Sequence, residues 1–171
     1  MRKILLFIVV LLLGIVLFMP KVNLYYTLEN FAKKEHVEIK EGSLKDGWID
    51  LDIKDATILY DGIASLNLKE LTITPWLFYN KVTALGVSPT KEIKSMFDVN
   101  ADKVVLTYSV LDYKRIMIEA EGDFGKIHGA LDVIEQKVRL ILAPSAKFKN
   151  NNIVRQYFKK EEEGLVYESK L

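Results

Sequence analysis

From Ile4 to Met19 the chain carries no charged or polar side chain, and only Gly14 interrupts the run. As helix, this stretch reaches about 24 Å at ~1.5 Å per residue, a little short of a ~30 Å hydrocarbon core. Val22, Leu24, Tyr25 and Tyr26 extend it toward a headgroup boundary, a depth that suits tyrosine. A cleavable signal peptide needs small residues after its apolar stretch, but Leu17, Phe18, Met19 and Pro20 stand there. A buried core helix needs a polar stripe, and the run has none. The expectation is an uncleaved transmembrane signal anchor over 1–21. Arg2 and Lys3 lie on one side and Lys21, Lys33 and Lys34 on the other, so flanking charge is indecisive. Long domains translocate largely regardless of charge, which places the short N-tail in the cytoplasm and the body in the periplasm, on a single-pass inner-membrane anchor.

The rest of the 171 residues must fold in water. Half of the chain is hydrophobic and 27% is charged, which excludes a disordered polymer. The net charge of +1 gives no basic field for nucleic acid. Zero cysteines exclude disulfides, thiolate nucleophiles and Cys-based metal sites.

Residues 22–35 read as a juxtamembrane helix, with Leu24, Leu28, Phe31 and Ala32 on one face and Glu29, Lys33 and Lys34 on the other. From Val37 the period changes to two. Ile49, Leu51 and Ile53 alternate with Asp50, Asp52 and Lys54, and Asp61-Gly62 supplies a hairpin turn. A phase slip near Glu70 fits a bulge. Strands recur to Leu142, separated by tight turns, with one irregular stretch over Ser88–Asp98. Asn150–Lys160 reads as a helix and Leu165–Leu171 as a last strand. Tight turns argue antiparallel pairing. The fold expected over 36–171 is a mainly β domain: a curled antiparallel sheet of about eight strands, with the C-terminal helix laid across its apolar face.

Several of these residues also resemble a known family. They are Gly42-x-x-x-x-Gly47-Trp48, Leu71-Thr-Ile-Thr-Pro75-Trp76-Leu77 with Asn80-Lys81-Val82, Gly122-Asp-Phe-Gly125-Lys-Ile-His-Gly129 and Gly164-Leu-Val-Tyr-Glu168. The pattern resembles the type II secretion system protein N family and, more distantly, AsmA-like envelope proteins. The resemblance implies an inner-membrane anchor, a periplasmic body of repeated antiparallel strands and no catalytic residues. The first reading is a scaffold component held to other envelope-machine proteins through free sheet edges and aromatic surface. It is of the secretion type or an accessory of another machine such as a flagellar motor; the alternative comes from the same resemblance. Its AsmA-like side implies a module that binds or transfers phospholipid.

The candidate chemistry is thin. Asp50/Asp52 and Glu119/Glu121 each share one side of a strand, at a separation glycosidases use, but solvated strand faces explain them. His36 and His128 have no partner motif, and no serine sits in a Gly-x-Ser-x-Gly elbow. Asp98-x-x-x-Asp102 lacks the glycine and terminal glutamate of a calcium loop. No enzyme activity, cofactor or metal is expected. Trp48, Trp76, Phe78 and Tyr79 remain as an interaction patch, with core or interface-belt packing as the alternative.

Overall fold

The computed structural model describes residues 2–146, 148–149, 157–161 and 164–170. Helices α1 (Arg2–Leu17) and α2 (Lys21–Lys34) precede the strands. These are β1 (Val37–Lys40), β2 (Ser43–Asp46), β3 (Leu51–Tyr60), β4 (Ile63–Pro75), β5 (Tyr79–Pro89), β6 (Ala101–Ser109), β7 (Asp112–Gly122), β8 (Gly125–Asp132), β9 (Lys137–Pro144), β10 (Lys159–Glu161) and β11 (Gly164–Lys170). All eleven belong to one sheet in the order β1-β3-β4-β5-β6-β7-β8-β9-β11-β10, with β2 also on β3. Every pairing is antiparallel.

The sheet is larger than the expected eight strands by three short edge pieces. β1, β2 and β10 have four, four and three residues. β1 and β2 pair with opposite halves of β3, so together they form one interrupted edge. The expected C-terminal covering helix is also corrected in part. Residues 150–156 lie outside the described residues, but Lys159–Glu161 is strand, paired with β11 through Glu161 and Gly164. Gly164 has φ 133°, a backbone open to glycine, and the chain reverses there. The Asp61-Gly62 turn is as expected: both residues have positive φ, 50° and 78°, the requirement of the hairpin turn that matches strand twist.

Registered partners across an antiparallel ladder point to the same side. One row therefore runs Leu51, Ile73, Val82, Leu106, Ile118, Gly129, Leu140, Tyr167. A second runs Ile53, Leu71, Ala84, Val104, Ala120, Ile127, Leu142, Leu165. Neither contains a charge, and both define one apolar face from β3 to β11. The row between them, on the opposite face, is Asp52, Thr72, Thr83, Val105, Glu119, His128, Ile141, Val166. Leu66 of β4 and Tyr167 of β11 line one cleft. Six strand spacings of about 4.8 Å would hold them ~29 Å apart in a flat sheet, so the sheet bends around its apolar face.

The phase slip near Glu70 is real, but it is not a bulge of one strand. Leu68 and Leu71 both enter the same core, three positions apart, as do Ile53 and Ala56 of β3. Residues three apart share a face only if the alternation slips between them. Asp55, between the β3 pair, has φ 54°; Gly86 of β5, beside Lys69, has φ 61°. Neighbouring strands slip together, so Lys54↔Glu70 and Ala56↔Leu68 keep one register, and the only register shift between β3 and β4 is at Ile58/Leu59.

Helix α2 covers the N-terminal half of the apolar face. Tyr25 is 3% exposed and packs with Leu51, Ile53, Ala56, Leu68, Leu71 and Ala84. Lys21 Nζ meets Asp46 Oδ1 at 3.1 Å at one end, and His36 Nδ1 meets Asp61 Oδ1 at 3.0 Å at the other. The expected orientation of this helix is overturned. Lys21, Tyr25 and Glu29 are buried, while Leu24, Leu28 and Phe31 are exposed. The buried stripe of Lys21, Tyr25 and Glu29 is the more polar of the two faces, and its tyrosine fits the sheet. The buried Glu29 is paired at 3.0 Å with Lys33. The C-terminal half has a second core, with Phe124 and Leu142 covered by Phe148 and Phe158.

Gly86→Val places a branched side chain at positive φ, where an added Cβ sits 2.6 Å from Lys69 Cδ. It is expected to lower unfolding free energy by about 1–3 kcal/mol in denaturant titration; an unchanged midpoint contradicts the shared crease.

Candidate functional site: an apolar trough

Among the described residues the bent apolar face is only partly filled. Beside α2, a cleft of ≈330 Å³ is bounded by Tyr25 and Leu28 of the helix and by Ile73, Val82, Val104 and Leu106 of the sheet. Glu29 is the one charged residue in its lining. Toward β11 a second cleft of ≈660 Å³ is lined by Val87, Met96, Phe97, Leu140 and Tyr167 among others, with no charged residue. Both volumes fall within the range of about 300–1,000 Å³ typical of small-molecule sites. Leu106, on β6 between the two halves, is 37% exposed. Clefts, rows and helix together make a trough walled by α2 on one side and by the 90–100 loop and the C-terminal aromatics on the other.

The loop forms its wall through a helical turn, with Lys94 N–H donating to Thr90 O at 2.9 Å and Phe97 N–H to Ile93 O at 2.9 Å. Thr90 is buried, and its hydroxyl donates to Ala64 O at 2.6 Å, which ties the loop to β4. The trough's one distinctive polar atom is Tyr25 Oη. It is buried and has no hydrogen-bond partner among the described residues. Burial, reinforced by the carboxylates of Glu41 and Glu29, raises its pKa, so the phenol stays protonated and keeps a donor available.

The residues singled out from the sequence lie elsewhere. Trp48, Trp76, Phe78 and Tyr79 are 83%, 44%, 61% and 46% exposed and line neither cleft. They cluster at one end of the sheet, Trp48 in the β2–β3 turn and the others at the β4–β5 turn. Asp50 precedes β3 rather than lying within it, and Asp52 accepts a hydrogen bond from Thr72 Oγ1 at 2.8 Å. Glu119 stands opposite His128 on the outer face, where Lys103, Glu121 and Lys126 complete a charged ladder. Glu121 and Lys126 pair at 3.3 Å. No serine, threonine or tyrosine lines that hollow to serve as a nucleophile. Among the described residues, no three His, Cys, Asp or Glu side chains gather to hold a metal ion.

The extension of the apolar run through Val22–Tyr26 is also corrected. The first helix ends at Leu17, Pro20 precedes α2, and Tyr25 belongs to the core. Among the described residues no single helix is long and apolar enough to cross a membrane; α1 and α2 meet that measure only as a pair bent by 57°. No protein-family model matches the chain, and no curated protein or solved structure is significantly similar to it.

Tyr25→Phe removes a hydroxyl that has no partner and is expected to leave stability unchanged or raised. Tyr25→Ala empties the centre of the α2 contact and is expected to cost about 3–5 kcal/mol. Chemical denaturation of both variants checks this; equal losses would mean that the hydroxyl is bonded.

Proposed function

We propose that this chain is a membrane-tethered module that holds the acyl chains of phospholipid in its trough. The observation that carries the reading is the pair of uncharged rows running across β3 to β11, covered by α2 and the C-terminal aromatics only in part. Alternation normally leaves one face dry and one wet; a dry face left open calls for an apolar occupant.

In this reading α1 is the single-pass inner-membrane anchor and the sheet lies in the periplasm. The support is α1 itself: Ile4 to Leu11 are each 45–67% exposed on every side of the helix. Such a surface is stable in lipid and costly in water. Lipid would then reach the trough from the bilayer in which the protein is held.

The exposed aromatics favour a second reading, a scaffold component of an envelope machine. Strand addition at the sheet edges gives that reading little help. The edges read Val-Glu-Ile-Lys, Ser-Leu-Lys-Asp and Lys-Lys-Glu, short and charged, which is how proteins blunt edges.

Native mass spectrometry of the full-length protein after gentle detergent exchange separates the two. The lipid reading expects retained phospholipid, reduced about tenfold or more by Leu106→Glu with Ile118→Glu, since a loss of ~1.4 kcal/mol is already tenfold. A lipid-free wild type with stoichiometric protein partners would replace it with the scaffold.

A further inference from the structure

The strands run up and down in sequence, so alternate turns collect at opposite ends of the sheet. The β2–β3, β4–β5, β6–β7 and β8–β9 turns share one end. Each carries an exposed apolar residue at its tip: Trp48 (83%), Phe78 (61%), Leu111 (94%) and Ile134 (60%). Trp76 and Tyr79 flank Phe78. At the opposite end exposed Tyr60 and Ile63 flank the Asp61-Gly62 turn and exposed Met96 stands in the 90–100 loop, while at Asp123-Phe124 the aromatic is folded into the core.

The same end holds the junction of α1 and α2. Lys21 opens α2 and is bonded to Asp46, the last residue of β2, immediately before the Trp48 turn. The apolar α1 therefore leaves the domain beside this row of tips. Two acids behind the tips are paired: Asp46 with Lys21, and Asp112 with Arg115 at 2.8 Å. Asp132 accepts backbone N–H bonds from Ile134 and Glu135 at 2.9 and 2.8 Å, which leaves the Ile134 side chain at the apex. Four tips across six strand spacings make a rim about 29 Å long. A bulky apolar residue backed by paired charge suits the headgroup boundary.

We infer that this rim is a second membrane contact, seated in the interfacial layer of the bilayer that α1 enters. The inference rests on the membrane reading of α1 but not on lipid occupying the trough. α1 is short for a full span, and a rim drawn into the interface brings the Pro20 end of the helix down with it. The rim also sets the sheet upright, with strands along the membrane normal and the trough opening at lipid level.

The chain's only two tryptophans, Trp48 and Trp76, both lie on this rim and report on it directly. Full-length protein is reconstituted into phosphatidylcholine vesicles whose acyl chains are brominated either near the headgroup or near the methyl end. The rim contact predicts about twofold or greater quenching by the shallow bromines and less by the deep ones. Leu111→Asp with Ile134→Asp, both at exposed tips, is expected to restore most of the emission. Equal emission in brominated and plain vesicles overturns the contact, as does a chain that fails to float with the vesicles or tryptophans shielded by a second copy in a crosslinked dimer. Met96→Trp, in a chain whose native tryptophans are phenylalanine, reports instead on the distal cleft that Met96 lines. Quenched native tryptophans with an unquenched residue 96 retain the rim and reject the occupied trough; the reverse pattern rejects the rim alone.

Discussion

The fold depends on a surplus of apolar surface on one side of a sheet. Two uncharged rows run through eight consecutive strands, and among the described residues one short helix and a few aromatics lie over them. A flat sheet would leave that face in water, so the sheet bends, and even bent it keeps two clefts. The hydrophobic effect that drives the bend is also what makes the remaining opening attractive to an apolar ligand.

The covering helix shows how that constraint sets details. Its buried stripe is Lys21, Tyr25 and Glu29, an unusual choice for a helix that also offers Leu24, Leu28 and Phe31. The tyrosine spans the gap to Leu51 and Ala84, while Lys21 and Glu29 each find an opposite charge at about 3 Å. Leu28 is left at the cleft, where it extends the apolar wall that the sheet begins. Stability and the open trough are thus two results of one packing choice.

Much of this architecture is legible in the residues. Leu51–Ile53, Ile116–Ala120 and Val138–Leu142 show their period directly, and Asp61-Gly62 names its own turn, whereas Trp48–Asp50, read as the start of the first long strand, lies in the β2–β3 turn. The C-terminal strand and the antiparallel connectivity follow from the same signals. What is not legible has physical causes. Edge strands of three and four residues hold at most two alternations, too few to separate from a loop. The slip at Lys69–Glu70 looks local in sequence, and only the strand register shows Asp55 and Gly86 sharing it. That the more polar stripe of α2 is the buried one cannot be foreseen without the surface that receives Tyr25 and the ion pairs that hold Lys21 and Glu29. The trough was hidden for a related reason: a row across eight strands is assembled from residues up to 116 positions apart, from Leu51 to Tyr167. The exposed aromatics were visible as residues, but their gathering at the end where α1 departs needed the topology.

If lipid chains occupy the apolar face and leave the outer face bare, photocrosslinking in native membranes with a phospholipid carrying a diazirine on its acyl chain, followed by peptide mapping of the full-length protein, labels one side of the sheet. Adducts on Leu106, Ile116 and Ile118 are predicted, with Val105, Thr107 and Met117 on the outer face unlabelled. Labelling of the outer-face residues alone, or of α1 alone with the whole sheet untouched, would contradict that occupancy.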